Sequence, residues 1–191
     1  MNQKLVWIAS LCAQALVLCG LVAREERALK VGVPVLIEVR AVDPMDLLSG
    51  RYISVPLAIS TVDLDLTIHP TPVPDKGEFV FAHLERQING PCKLVEFARA
   101  PGDPRAGPWA RALVDTQFDE SNPNEILRLD FQVERFYIPQ TGSDPSMSRR
   151  ADGTRHEICV AARVAPDGRI LIEDLLVDGQ AYAQWNAQQV R

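Results

Sequence analysis

The chain has 191 residues, a formal net charge of −5 at neutral pH, 47% hydrophobic and 24% charged residues. That length suits one domain with a substantial core. The acidic balance and the lack of a dense Lys/Arg patch exclude an electrostatic nucleic-acid surface, the pair Arg149–Arg150 standing isolated.

The run from Leu5 to Ala23 is apolar apart from Ser10 and Gln14, with Lys4 before it and Arg24, Glu25, Glu26 and Arg27 after it. As a helix it spans roughly 28 Å, close to the ~30 Å hydrocarbon thickness of a bilayer. Residues 5–23 are therefore predicted to form a transmembrane anchor, with a short cytoplasmic tail at 1–4 and a juxtamembrane linker at 24–32. Two alternatives compete with this reading. A cleaved signal peptide has a shorter apolar region and a small-x-small site, whereas this run is long and carries the bulky Leu21 near its end. A buried core helix needs protein on all sides, and no other long apolar helix is legible. The basic amino end favours an inside tail and an outside body. The expected location is the inner membrane, single-pass, with an extracytoplasmic domain at 33–191 facing the periplasm.

The body reads as short strands. Pro34–Ala41 alternates partially, and Asp43, Pro44 and Met45–Leu48 suggest a capped turn that Ser49–Gly50 breaks. Arg51–Ile59 is a second strand with Pro56 marking an edge or a bulge, and Val62, Leu64, Leu66 and Ile68 alternate against Asp63, Asp65 and Thr67. Glu78–Leu84 and Cys92–Phe97 flank an Asn89–Gly90–Pro91 turn. Ala100–Trp109, rich in Pro and Gly, reads as a surface excursion. Ile126–Ile138 suggests a strand and its continuation, and Gln140–Thr154 a loop. Glu157–Val164 and Arg169–Leu176 around Ala165–Pro166–Asp167–Gly168 form the strongest hairpin signal, and Asp178–Gly179 begins another turn. The expected fold is mainly β, an antiparallel sandwich or partly closed barrel behind one N-terminal transmembrane helix.

Four cysteines divide into Cys12 and Cys19 in the apolar run and Cys92 and Cys159 in the body. An oxidising compartment permits a Cys92–Cys159 disulfide, and two unpaired buried thiols are the alternative.

No local constellation carries a reaction. Asp43 and Asp46 are three apart across a short turn, where both carboxylates can face one side. Asp43 as a cap and Asp46 paired with Arg51 is the simpler account of them. With Tyr52 these residues are the candidate ligand- or partner-binding group. Asp63 and Asp65 read as a wet sheet face. His69, His83 and His156 are scattered and match no metal signature, so neither a metal nor a cofactor is expected. There is no GxSxG elbow and no phosphate-binding loop. Trp109, Phe136, Tyr137, Tyr182 and Trp185 are core fillers or a recognition surface, and the segment from Gly179 to Arg191 either docks back on the body or binds a partner.

Val42–Ser60, VDPMDLLSGRYISVPLAIS, resembles the bacterial membrane-anchored proteins known by a GDYxxLxY motif. Asp43, Pro44, Asp46, Leu47, Gly50 and Tyr52 match the pattern, while Arg51, Val55 and Leu57 stand where the motif has Asp, Leu and Tyr. Glu134–Gly142 and Val164–Gly179 resemble a later strand-and-loop and the terminal hairpin of that family. The resemblance implies a membrane-tethered β domain, often with a membrane-protein partner, and no established reaction.

The expected function is a non-enzymatic, membrane-anchored envelope protein. It would contact the bilayer through residues 5–23 and bind or stabilise an integral membrane-protein partner. The alternative is an envelope hydrolase or a small-ligand-binding domain using residues 43–52.

Overall fold

The computed structural model describes residues 3–40, 52–64, 67–68, 70–88, 90–116, 126–133, 135–139, 142–146, 148–150 and 152–189. The predicted capped turn and its Asp43, Asp46 and Arg51, together with Asp65, Leu66, His69 and Asn89, lie outside these residues.

Helix α1 spans Gln3–Val31. It does not stop where the apolar run stops, but continues through Arg24, Glu25, Glu26, Arg27 and Lys30. Among the described residues no helix is long and apolar enough to cross a membrane. This corrects the expectation of a transmembrane anchor at 5–23. The bilayer contact, the single-pass inner-membrane topology with a periplasmic domain, and the integral membrane-protein partner rested on that span and fall with it. The physical reason is the mismatch between run and helix. One continuous helix carries Ser10, Gln14 and Gly20 along its length and a charged last third, and that charged end makes ion pairs to the body. Arg24 lies 3.6 Å from Asp167, and Arg169 donates to Glu25 at 2.9 Å. The described aliphatic side chains of α1 farther back, such as Leu11, Leu16 and Val22, are exposed.

The body is mainly β, a partly closed antiparallel barrel built from three sheets. The first sheet joins β1 (Val33–Glu38), β9 (Ile158–Val164), β10 (Ile170–Val177) and β11 (Gln180–Ala181) in that order. The second pairs β2 (Tyr52–Ser54) with β8 (Arg135–Tyr137). The third runs β3 (Thr61–Val62), β7 (Leu127–Asp130), β6 (Trp109–Val114), β4 (Phe79–Glu85), β5 (Lys93–Ala98). Every named strand pair is antiparallel.

Turn chemistry sets the register of β9 and β10. Ala165 N–H donates to Arg169 O at 2.8 Å and Gly168 N–H to Ala165 O at 2.9 Å, with Gly168 at φ +83°. This is a type I turn closed by a left-handed glycine, a preferred three-residue hairpin loop. A Cβ on Gly168 would stand 3.0 Å from the Arg111 backbone nitrogen, which itself donates to Gly168 O at 2.7 Å. The hairpin tip is thereby sewn to β6. At the other end of β10, Asp178 (φ +51°) and Gly179 (φ +76°) are both left-handed between the paired Val177 and Gln180, as a type I′ turn requires.

Three predicted elements differ. The strand expected over 51–59 ends at Ser54, and Ala58–Ser60 is a 3-10 turn. Pro56 has no N–H to give a ladder, although its carbonyl accepts from Arg40 at 2.9 Å. Of the alternating stretch 62–68, the described residues hold strand only at Thr61–Val62 and a single bridge between Ile68 and Glu96. Within the surface excursion, Trp109 instead opens the central strand β6, and its ring stacks on His83 with centroids 4.9 Å apart.

The core lies between the sheets, and the alternation of strand side chains fills it. Val80, Ala82 and Leu84 from β4, Ala110, Ala112 and Val114 from β6, and Val160, Ala162 and Val164 from β9 point into it. Helix α2 (Tyr182–Gln189) closes one end, burying Tyr182 and Trp185. The segment 179–189 therefore docks back on the body.

Candidate functional site

Barrel closure is uneven. The outer edge of β1 is covered, because Cys92 N–H donates to Leu36 O and Arg86 donates to Pro34 O, both at 2.7 Å. The outer edge of β10 is covered by β11 only at Leu176 and Val177. From Ile170 to Glu173 it has no strand beside it among the described residues. A register irregularity falls between Ile172 and Asp174, a bulge that bends the strand where the uncovered stretch ends.

A cleft of about 790 Å³ opens along this gap. Ile170, Leu171 and Ile172 form one wall, and Glu25 and Leu29 of α1 stand at its side. Asp130, Gln132, Val133 and Arg135 face them from the turn between β7 and β8. Gln132 adopts a left-handed backbone at φ +58°, held by its N–H donating to Asp130 Oδ1 at 2.7 Å. Non-glycine residues in this region store strain that is common at ligand sites. Glu25 is already engaged by Arg169, whose own charge is strengthened first by Asp167 and then by Glu25. Among the described residues Arg135 makes no ion pair. Its guanidinium sits 4.6 Å above the Tyr52 ring, and Arg135 is the β-partner of Ser54.

Of the predicted binding group, the structure thus places Tyr52 next to the cleft, half-buried on β2, its ring edge-on to Tyr137 at 6.3 Å. Asp43, Asp46 and Arg51 are outside the described residues. Sequence reasoning missed Arg135, Asp130 and Gln132. A charged residue two places before Tyr137 in a short strand was the one available signal, and it is common on any wet strand.

The two described histidines, His83 and His156, stay apart. His83 lies on Trp109, with its Nε2 3.3 Å from Ala106 O. His156 belongs to a network on the Asp178 turn. Its Nδ1 is 2.6 Å from Asp178 Oδ2, Arg150 makes a two-nitrogen ion pair to Oδ1, and Glu157 N–H donates to Oδ1 at 2.9 Å. Arg150 first, and then His156 and the Glu157 amide, holds the Asp178 carboxyl well below the usual carboxylate range. A His–Asp dyad orients a base in hydrolases, but among the described residues no hydroxyl or thiol bonds the other ring nitrogen of His156. The His156 ring instead packs edge-on to Trp185 at 5.4 Å. The network fastens the loop before β9 to the end of β10. Among the described residues no group of three His, Cys, Asp or Glu is placed to hold a metal ion.

Cys92 and Cys159 are both buried as free thiols, whereas Cys12 and Cys19 are exposed. Burial pushes each buried thiol up to about 11, and Glu157 and Glu38 add to the effect at Cys159. A thiol-reactive dye at pH 8 is expected to label two cysteines at once. The other two react only as fast as the body opens, because the thiolate is the reactive form. Four equally fast thiols in a folded sample would contradict this burial.

No curated protein and no solved structure matches the chain. The family model described as GDYXXLXY protein matches residues 14–175, which include β1, the Tyr52 strand, the β7–β8 turn and most of β10. With the greater part of its length matched, and with Gly50 and Tyr52 matching the motif's first and third residues, the chain belongs to the GDYXXLXY family.

Proposed function

We propose that this chain is a ligand-binding β domain whose site is the cleft between β10 and the β7–β8 turn. The observation that carries the reading is the cleft itself. Its volume of about 790 Å³ lies within the range of small-molecule sites, and its lining mixes polar groups with aliphatic side chains. Leu29, Val133 and Leu171 offer apolar contact, while Arg135 supplies a cation braced on an aromatic ring. Asp130 and Gln132 add an acceptor and an amide. The ligand this set suits is amphipathic, with an anionic end for Arg135. Asp43, Asp46 and Arg51 are proposed to contribute from the segment that leads into Tyr52.

The test is titration of octanoate, a simple amphipathic carboxylate, into the full chain, followed by amide chemical shifts. Shifts are expected to concentrate at residues 130–135 and 170–172, and Arg135→Ala is expected to weaken binding about tenfold, the scale of one charge-assisted contact. Shifts scattered over the surface, or an unchanged affinity in Arg135→Ala, would overturn the assignment.

A further inference from the structure

The backbone of β10 says more about what fits the cleft. In an antiparallel ladder successive residues turn their N–H and C=O alternately to one neighbour and to the other. The hairpin fixes that phase. Ala165 and Arg169 bond each other across it, so Leu171 faces its partner Arg163, and the Ile170 and Ile172 backbone groups point away from β9. The far side of β9 agrees, since Val39 N–H donates to Ile158 O at 2.9 Å and the even-numbered residues of β9 thus serve β1. Two N–H donors and two C=O acceptors, spaced as a strand spaces them, therefore point away from β9 on the cleft side, at the buried Ile170 and the half-buried Ile172. No backbone or side-chain group among the described residues takes them.

We propose that the occupant is an extended peptide, which adds as a strand beside Ile170–Ile172 and presents an acidic side chain to Arg135. This rests on the cleft as the ligand site and names the class of ligand. An unpaired edge offers the alternating donors and acceptors that a second strand supplies, and strand addition is a common mode of peptide capture. The cleft limits the length: the bulge after Ile172 ends the edge on one side, and the Gly168 turn bonded to Arg111 ends it on the other. Charge sets the side-chain preference. Glu25 is neutralised by Arg169, while Asp130 keeps its charge on the β7 side of the cleft, one of its oxygens accepting from the Gln132 backbone N–H. Arg135 is left as the cation with no ion partner among the described residues, which complements a carboxylate on the peptide.

The probe is an acetylated, amidated heptapeptide of alternating Val and Thr with a central Glu. It is compared with its Lys counterpart and with a version N-methylated on alternate residues, all titrated into the full chain. Binding of the Glu peptide is expected to slow amide exchange at Ile170 and Ile172, with Leu171 little changed because its N–H is already in the ladder. N-methylation is expected to weaken binding at least about tenfold through lost backbone bonds. Arg135→Glu is expected to exchange the preference, favouring the Lys peptide. Ile172→Pro removes one outward N–H without touching the β9 ladder, so it weakens peptide binding while the fold persists. Equal affinity of the N-methylated peptide, or no added protection at Ile170 and Ile172, would overturn strand addition. If octanoate binds the cleft and no peptide does, the peptide class falls and the ligand site stands. If neither binds there, both fall.

Discussion

Replacing Trp185 by alanine is expected to lower the unfolding free energy by about 3–5 kcal/mol, the cost of removing a large buried aromatic side chain. Trp185 is 3% exposed and touches both Tyr182 and His156 through its ring. Helix α2 has eight residues, too few to be stable alone in water, so its order depends on this packing. The effect extends past the helix. Tyr182 Oη donates to Ser143 O at 2.8 Å, Ser143 N–H donates to Asn186 Oδ1 at 2.7 Å, and Tyr182 stacks edge-on to Phe136 of β8. Undocking α2 therefore frees the loop around Ser143 and loosens β8, which carries Arg135. Urea unfolding and near-ultraviolet circular dichroism of Trp185→Ala measure this. A loss below about 1 kcal/mol, within reach of a surface change, would show that the C-terminal helix is not part of the cooperative unit.

The second large effect belongs to Asp178. Alanine there is expected to cost about 2–4 kcal/mol, because the deeply placed His156 ring and the Arg150 guanidinium lose their shared acceptor and a non-glycine residue without a polar tip must hold φ +51°. Asp178→Asn separates charge from conformation, since asparagine tolerates the left-handed region. The pH dependence has a definite sign. The folded carboxyl titrates below its unfolded value, so its stabilisation is complete above about pH 4 and is lost as pH falls through the folded value. The stability difference between the native chain and Asp178→Asn should therefore shrink on acidification below about pH 4. A difference that stays constant from pH 6 to pH 2 would mean the ion pair contributes nothing beyond geometry.

The parts of the fold that were legible in the sequence are those in which local chemistry and tertiary packing agree. Ala165–Pro166–Asp167–Gly168 announced its hairpin because the glycine and the strand alternation on both sides point the same way. Asp178–Gly179 did so as a turn, and the Asn89–Gly90–Pro91 signal marked β4 and β5 on its two sides. Elsewhere packing overrode the local signal. Trp109–Val114 became a central strand although a Pro- and Gly-rich stretch leads into it, because β4 and β7 supply both ladders. The strand after Tyr52 was cut short by Pro56, whose effect depends on whether a neighbour needs the missing donor. Hydropathy alone marks 5–23 as a membrane span, whereas the helix is a longer unit with a charged end paired to the body. The cleft was the least legible part. Tyr52 marked its border, but Asp130, Arg135 and Ile170–Ile172 are dispersed along the chain and meet only through the way the barrel closes.

Gly32 joins α1 to β1 with no slack. Its N–H closes the last helical turn on Ala28 O at 2.9 Å, and β1 begins at the next residue. A Cβ there would sit 2.9 Å from the Arg163 Cβ and 2.8 Å from Ala28 O, so the joint is tight in every direction. The helix is consequently a lever with its fulcrum at one glycine. A pull along α1 loads the Val33–Val164 pair first and peels β1 from β9 one pair at a time, a mode that resists force far less than sliding the two strands past each other. A sideways push meets instead the ion pairs to Asp167 and Arg169 at the hairpin tip, which are exposed enough to yield to salt. Displacement of the helix is thereby transmitted to the same hairpin that forms one wall of the cleft.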